Sequence, residues 1–158
     1  MSHLILFVCT GNVCRSPMAA ALFNARARRA GDEGHWFARS AGTWGLEHQA
    51  ASGYAQTAMA KRGLDLSHHR ARTIVRADLA QADVVIVMTR NHRDALVAEF
   101  PEYRQKIHLM SELRGRVFDI SDPYGSTLGD YENCAQELET LVESGYDQVK
   151  AWSIGEQP

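Results

Sequence analysis

The sequence predicts an open α/β sheet with helices on both faces, and three observations support this. First, Leu4–Val8 and Val84–Met88 are continuous apolar runs without alternation, which is typical of parallel strands covered on both faces. Second, segments with helical periodicity lie between such runs. Third, strand and helix patterns alternate along the chain, and this alternation predicts a doubly wound sheet with right-handed crossovers.

The predicted elements follow one another in the order that such a fold requires. Two weaker apolar runs, Trp36–Ser40 and Ile107–Met110, supply the remaining strands, and Arg39 places the first of them near a sheet edge because its charge interrupts the run. The predicted helices span residues 17–29, 50–62, 91–100 and 127–143. The last of these carries an apolar stripe of Leu128, Tyr131, Ala135, Leu138 and Val142.

Composition indicates a single globular domain, residues 1–158, with residues 147–158 expected to form a tail. The 158 residues include 17 basic and 19 acidic side chains, for a formal net charge of -2, and 45% of them are hydrophobic. No linker, low-complexity tract or internal repeat divides the sequence. The balanced charge argues against a nucleic-acid binder and against a membrane-surface protein.

The short apolar segment near the N-terminus and the number of cysteines both indicate a cytoplasmic protein. Leu4–Val8 is far shorter than the ~20 residues that span a bilayer, and no leader with a cleavage site precedes it. The three cysteines, Cys9, Cys14 and Cys134, are an odd and sparse set, which fits free thiols in a reducing compartment. We therefore expect a cytoplasmic protein, and no pattern in the sequence indicates its oligomeric state.

The most informative segment, Cys9–Pro17, comes directly after the first strand, where ligands of such sheets bind. Ser16 is a favoured N-cap residue and Pro17 a favoured first helical residue, so a helix is predicted to begin here. A helix N-terminus offers free backbone N–H groups and a partial positive charge, and therefore favours an anion. Gly11 and Asn12 readily accept positive φ, which would turn successive N–H groups inward.

Arg15 and Cys9 give this predicted anion site its chemistry. The planar guanidinium of Arg15 suits two phosphate oxygens. Cys9, at the base of the loop, would lie close to Arg15 and the N–H groups, which favours its thiolate form and a role as nucleophile. The rest of the loop is then expected to bind the phosphate group, namely Thr10, Gly11, Asn12, Val13, Cys14 and Ser16.

Other interpretations of the loop have weaker support. Either cysteine alone could be a buried, small hydrophobic residue. The spacing of Cys9 and Cys14 is also that of half a zinc knuckle, but structural zinc needs two more ligands, and Cys134 lies within an apolar helical stripe, so we expect no metal. No Gly-Lys-Ser/Thr closes the loop, which argues against nucleotide hydrolysis.

Taken with three distant motifs, the loop resembles that of the low molecular weight protein tyrosine phosphatases, a family with a bacterial protein arginine phosphatase branch. The matching motifs are Cys9-x5-Arg15-Ser16, Ser40–Trp44, His69–Arg72 and Asp122–Gly125. Their order and spacing cover the chain to about residue 145. The resemblance implies a four-stranded parallel sheet, a phosphorylated protein as substrate, and catalysis through a phosphocysteine without a cofactor.

The resemblance also implies roles for individual residues. Asp122 would be the general acid that protonates the departing oxygen and later activates water. Ser16 would donate to the thiolate, Asn12 would hold the loop in shape, and His69 would support Asn12. Without the resemblance, Asp-Pro-Tyr-Gly is an ordinary turn. We expect His68, His92 and His108 to be surface or half-buried residues without a role in the site.

Substrate preference within the family depends on the walls of the site. Trp44 and Tyr124 would line the entrance and contact the organic part of the substrate. Val13 would lie beside the bond that breaks, where the tyrosine branch has a larger aliphatic residue and the arginine branch a threonine. Valine offers no hydroxyl to a guanidinium, so we favour phosphotyrosine and keep phosphoarginine as the alternative.

A thioredoxin-coupled arsenate reductase, which shares this fold, is the third interpretation. That reaction passes a disulfide to further cysteines after the third strand, where Met88–His92 contains none.

Two thiols in one tight loop also predict that mild peroxide forms a reversible disulfide between Cys9 and Cys14.

Overall fold

The central feature of the computed structural model, which describes residues 2–155, is a parallel sheet. Its strands are β1 (His3–Cys9), β2 (Trp36–Gly42), β3 (Val84–Val87) and β4 (Ile107–Leu109). They lie in the order β2-β1-β3-β4, and every pairing is parallel. The predicted four-stranded parallel sheet is therefore confirmed, and β2 lies at an edge, with Arg39 exposed.

Helices follow each strand. Within residues 2–155 they are α1 (Arg15–Ala30), α2 (Gly53–Ala60), α3 (Arg76–Gln81), α4 (Arg90–Glu99) and α5 (Leu128–Ser153). Short 3-10 segments, Pro101–Lys106 and Met110–Arg114, flank β4. The prediction omitted α3 because six residues are too few for a helical period to show. None of the described helices is both long and apolar enough for a bilayer crossing.

The two faces of the sheet carry separate hydrophobic clusters. On one face, Ile5 and Phe7 of β1 pack with residues of α1, α2 and α5. On the other face, Leu6 and Val8 pack with residues of α3 and α4. Because β1 is buried on both sides, its sequence shows a continuous apolar run instead of alternation.

Helix α5 is longer than its sequence predicts. The apolar stripe continues past Val142 through Tyr146, Val149 and Trp152, all of which are buried. The expected tail is therefore wrong for residues 147–153, while residues 156–158 lie outside the described part of the chain. Gly145 favours a helix end in isolation, but a Cβ there would lie 2.8 Å from Leu113 Cβ, so close packing requires glycine within the helix.

Candidate active site

The loop between β1 and α1 turns its carbonyl groups outward. The carbonyls of residues 9–13 accept hydrogen bonds of 2.7 to 3.0 Å from the backbone N–H groups of residues 43, 44, 46 and 52 and from the ring of His69. By contrast, the backbone N–H groups of residues 11–15 donate to no other group among residues 2–155. The loop is therefore a concave surface of inward N–H groups, which is suited to an anion.

Asn12 holds the loop in this shape. It is fully buried and has φ 61°, the left-handed conformation that asparagine tolerates. Its Nδ2 donates to Ser16 Oγ at 2.8 Å and to Ser40 Oγ at 3.0 Å, and its Oδ1 accepts from the Arg72 backbone N–H at 3.1 Å. Gly11 was expected to take positive φ as well, but it does not, because the single left-handed residue at 12 completes the bend.

Gly11 and Gly42 instead allow other segments to approach the loop. A Cβ on Gly42, the last residue of β2, would lie 2.2 Å from the carbonyl oxygen of Thr10. A Cβ on Gly11 would contact the Leu46 side chain at 3.4 Å. The end of β2 and the segment after it therefore pack directly against the outer side of the loop.

Ser16 lies inside the first turn of α1 and is not its N-cap. The helix begins at Arg15, with Cys14 at the N-cap position and without a side-chain cap, so the predicted start at Pro17 is wrong by two residues. The reason is that the Ser16 hydroxyl lies within the loop, 3.0 Å from Cys9 Sγ, and accepts from Asn12. The N–H groups that a cap would occupy remain directed into the concave surface.

Arg15 is anchored at one end of its guanidinium. The residue is 4% exposed, and Nη1 donates to the carbonyl oxygen of Ile120 at 2.8 Å. Nη2 lies 3.3 Å from Asp122 Oδ2. The buried Nε has no hydrogen-bond partner among the described residues. Arg15 therefore brings the loop and the Asp122 segment together while it retains an unused donor.

The three cysteines lie in different environments. Cys9 is buried at the base of the loop and lines the cavity. Cys14 Sγ lies 3.1 Å from Ser52 Oγ and 3.3 Å from Tyr131 OH, and burial raises the pKa of this thiol. Burial likewise raises the pKa of Cys134, in α5, to about 12. These directions keep Cys14 and Cys134 as neutral thiols at pH 7.

A cavity of about 230 Å³ opens above Cys9. Asp122 stands at its rim with 45% of its side chain exposed, and its Oδ1 accepts from the Tyr124 backbone N–H at 3.0 Å. Trp44 is 79% exposed and lies at the mouth, so it is not a core residue. The lining consists of Cys9, Thr10, Gly11, Val13, Cys14, Arg15, Trp44, Leu46, Asp122 and Tyr124.

Two histidines support the loop from outside the cavity. His69 Nε2 donates to the carbonyl oxygen of Asn12 at 2.7 Å, and burial lowers the pKa of His69, which keeps its ring neutral at pH 7. His92 was expected to have no role in the site, but it is 5% exposed and its Nε2 lies 2.8 Å from Thr10 Oγ1. In the sequence, His92 lies in the first turn of a predicted helix that follows a buried strand, and this position could have indicated that His92 lies at the site.

The segment that carries Asp122 is fastened to the end of β3. The backbone N–H of Ile120 donates to the carbonyl oxygen of Met88 at 2.9 Å. The Arg90 backbone N–H donates to Asp119 Oδ1 at 2.9 Å, and the Arg90 side chain also binds Asp119. These contacts fix the rim of the cavity opposite the loop.

The assembled residues can bind a tetrahedral oxyanion against a sulfur atom. Inward N–H groups and the Arg15 guanidinium provide donors, Cys9 provides a nucleophile, and Asp122 provides a carboxyl group at the rim. Across residues 2–155, no group of three or more His, Cys, Asp or Glu side chains is placed to hold a metal ion. The chemistry suited to this arrangement is transfer of a phosphoryl group to sulfur.

Comparisons with known proteins agree with this geometry. The family model described as low molecular weight phosphotyrosine protein phosphatase matches residues 4–152. A protein-arginine-phosphatase of Geobacillus stearothermophilus is 37% identical over 144 residues, which are 90% of this chain and 93% of the relative. A low molecular weight protein-tyrosine-phosphatase of Streptomyces coelicolor is 35% identical over 147 residues, 88% of each chain.

Solved structures show the same relationship. The crystal structure of a low molecular weight protein tyrosine phosphatase from T. tengcongensis is 41% identical, with a TM-score of 0.88, and the match covers 93% of this chain and 99% of that one. Both the sequence and the fold are thus shared over nearly the whole length. The chain is a protein phosphatase and belongs to the low molecular weight phosphotyrosine protein phosphatase family.

Proposed function

We propose that the protein hydrolyses phosphotyrosine through a phosphocysteine intermediate, with Cys9 as the nucleophile, Arg15 as a phosphate-binding residue and Asp122 as the general acid. The observation that carries the proposal is the buried Arg15 Nε–H, which has no acceptor among the described residues. A buried donor without an acceptor costs about 1–3 kcal/mol, and a phosphoryl oxygen in the cavity would accept from it. The inward N–H groups of residues 11–15 support the same ligand.

In the first step, the sulfur of Cys9 attacks phosphorus from the side opposite the phenolic oxygen. The S–P bond forms while the P–O bond breaks, and the departing oxygen takes a proton from Asp122. Arg15 and the loop N–H groups stabilise the charge on the other three phosphoryl oxygens. Ser16 Oγ, which donates to the Ala41 carbonyl oxygen at 3.3 Å, lies 3.0 Å from Cys9 Sγ and would donate to the thiolate before the attack.

In the second step, water attacks the phosphocysteine. Asp122, now a carboxylate, accepts a proton from that water while the new O–P bond forms and the P–S bond breaks. The products are inorganic phosphate and the Cys9 thiolate. The partial exposure of Asp122 supports both of its tasks, because water reaches its carboxyl group.

Apolar side chains around the cavity favour a phenyl ring over a charged group. Val13, which is buried, lines the cavity together with Leu46, Trp44 and Tyr124. A phenyl ring packs against such walls, and an aromatic pair adds about 0.5–1.5 kcal/mol. Val13 offers no hydroxyl to a guanidinium, which also supports phosphotyrosine.

Phosphoarginine is the second candidate substrate. It is favoured by the similarity to the Geobacillus stearothermophilus relative, which is named a protein-arginine-phosphatase. The arsenate reductase interpretation has no such support. Residues 88–92 contain no cysteine, and Cys134 lies in the hydrophobic core, where burial raises its pKa to about 12.

The assigned roles are tested with p-nitrophenyl phosphate in the absence of metal and thiol donors. Cys9→Ser is expected to abolish turnover and keep phosphate affinity, and Asp122→Ala to slow turnover by ~10²- to 10⁴-fold. Cys134→Ala and Asp130→Asn, which change the same residue types outside the cavity lining, are the matched controls and should turn over substrate like the parent. Undiminished activity in Cys9→Ser or Asp122→Ala would refute the assignment.

The substrate is tested by comparing kcat/KM for a phosphotyrosine peptide and a phosphoarginine peptide of otherwise identical sequence. A higher value for phosphotyrosine is expected from the apolar walls. A higher value for phosphoarginine would replace the first candidate by the second.

We also propose that residues 1–158 form a single phosphatase domain that acts on phosphorylated proteins in the cytoplasm, with no nucleic acid or membrane as a partner. The packing of α1 against α5, from opposite ends of the sequence, supports one domain. The three free thiols support a reducing compartment. Cell fractionation tests the location, and resistance of the chain to limited proteolysis tests the single domain.

A further inference from the structure

The contact between Thr10 and His92 has no part in the mechanism described above. Thr10 follows Cys9 and lines the cavity, and His92 lies behind it in the first turn of α4. His92 Nε2 is 2.8 Å from Thr10 Oγ1. Because His92 is 5% exposed, protein groups and not water determine the state of its ring.

The direction of this hydrogen bond follows from the other ring nitrogen. His92 Nδ1 accepts from the backbone N–H of Thr89 at 3.1 Å, so Nδ1 carries no hydrogen. In a neutral imidazole the hydrogen is then on Nε2. Burial and the nearby positive charge of Arg15 lower the pKa of His92 to about 4, which keeps the ring neutral at pH 7. His92 therefore donates to Thr10 Oγ1.

This direction leaves the hydrogen of the Thr10 hydroxyl available. A hydroxyl that accepts one hydrogen bond can still donate another. Among residues 2–155, no group accepts a hydrogen bond from Thr10 Oγ1. The Thr10 residue is exposed on the same cavity that Cys9 and Arg15 line, so its O–H group can donate into that cavity.

Thr10 belongs to the loop that is expected to bind phosphate, and we propose that its side chain takes part directly, with the hydroxyl donating to a phosphoryl oxygen, and that His92 is the positioning residue that fixes the direction of this donor. The proposal rests on the proposed phosphatase function. It adds a neutral side-chain donor to a site otherwise built from backbone N–H groups and Arg15. A hydroxyl held in place before the substrate arrives also loses less rotational freedom on binding.

The first test is Thr10→Val, which removes the hydroxyl and keeps the branched shape. We expect kcat/KM for p-nitrophenyl phosphate to fall roughly 10- to 100-fold, as for a lost hydrogen bond to a charged group, and the inhibition constant of inorganic phosphate to rise by a similar factor. The matched control is Thr57→Val, since the exposed Thr57 hydroxyl bonds only the Gly53 carbonyl on α2 within the part of the chain that the structure describes. If phosphate inhibition is unchanged in Thr10→Val, Thr10 does not bind the phosphoryl group.

The second test compares two amides at position 92. In His92→Gln the amide nitrogen reaches towards Thr10 as Nε2 does, whereas in His92→Asn the shorter side chain reaches only the Thr89 N–H. We expect His92→Gln to retain more activity than His92→Asn, with the exposed His68→Asn as a matched control. Combining His92→Asn with Thr10→Val should cost no more than Thr10→Val alone, because His92 acts through Thr10. Fully additive losses would overturn the positioning role.

Nitrogen NMR of the parent gives a readout that does not depend on any variant folding. The Nδ1 signal of His92 is expected at the position of a ring nitrogen without hydrogen, and a protonated Nδ1 at pH 7 would overturn the proposed direction. Failure of the proposed phosphatase mechanism can be distinguished from failure of the Thr10 proposal, because the former would appear as turnover that survives Cys9→Ser. Cys9-dependent turnover with unchanged phosphate inhibition in Thr10→Val refutes this inference alone.

Discussion

Arg15→Lys keeps the positive charge of the site and removes its forked geometry. The arginine Nη1 is held by the Ile120 carbonyl at 2.8 Å and Nη2 lies 3.3 Å from Asp122 Oδ2, while the second hydrogen of Nη2 and the unpartnered Nε–H remain for the ligand. A lysine ammonium has its three donors on one nitrogen atom, so it cannot reproduce the separate, fixed positions of Nη1, Nη2 and Nε. Between one and two charge-assisted hydrogen bonds are lost, at about 1.5–3 kcal/mol each. At about 1.4 kcal/mol per tenfold change, kcat/KM should fall by at least tenfold and by up to ~10⁴-fold.

The assay is steady-state turnover of p-nitrophenyl phosphate together with inhibition by vanadate, since both depend on the same donors. Arg62→Lys is the matched control. The side chain of Arg62 is 16% exposed, and its Nη1 binds the Ala58 carbonyl oxygen at 2.9 Å and Glu132 Oε2 at 3.4 Å, away from the cavity lining. Its replacement is expected to lower thermal stability and leave turnover unchanged. If Arg15→Lys stays within threefold of the parent, the forked geometry is not required and the reasoning is wrong.

Three further predictions concern the loop. Val13→Thr should shift the kcat/KM ratio from phosphotyrosine towards phosphoarginine peptides by around 1–3 kcal/mol, and an unmoved ratio would show that Val13 does not set selectivity. Mild peroxide should inactivate the enzyme reversibly through a disulfide between Cys9 and Cys14. The Cys14→Ser variant should not regain activity when the peroxide is removed and a thiol reductant is added. A mass spectrum of the peroxide-treated enzyme without the Cys9–Cys14 disulfide would contradict this prediction. Asn12→Ala should lower the free energy of unfolding by about 3 kcal/mol, because three hydrogen bonds are lost and alanine is strained at φ 61°. Urea titrations measure this loss, and a value below ~1 kcal/mol would contradict the role of Asn12.

The sheet and the loop could be predicted because their signals are local in sequence. A strand buried on both faces must be apolar throughout, and Leu4–Val8 shows this directly. The left-handed conformation of Asn12 follows from its residue type. The distant Asp122 could be placed at the site only through the family motif, since a short turn carries no information about its spatial neighbours.

What could not be predicted depends on contacts between segments far apart in sequence. Ser16 has the residue type of an N-cap, but Cys9 and Asn12 engage its hydroxyl instead. His92 lies 82 positions from Thr10, and no periodicity links the two. Gly145 favours a helix end in isolation, and only the close approach of Leu113 explains a glycine within α5. In each case tertiary packing overrides the local preference.

The inward N–H groups of the loop also link the stability of the fold to the anions around it. An oxyanion that binds these donors in the folded chain, and not in the unfolded one, shifts the folding equilibrium by mass action. At a concentration 100 times its dissociation constant the shift is about 2.7 kcal/mol, which raises the melting temperature of a chain of this size by roughly 5–10 °C. Inorganic phosphate, the product of the proposed reaction, would therefore inhibit the enzyme and protect it from heat through the same bonds.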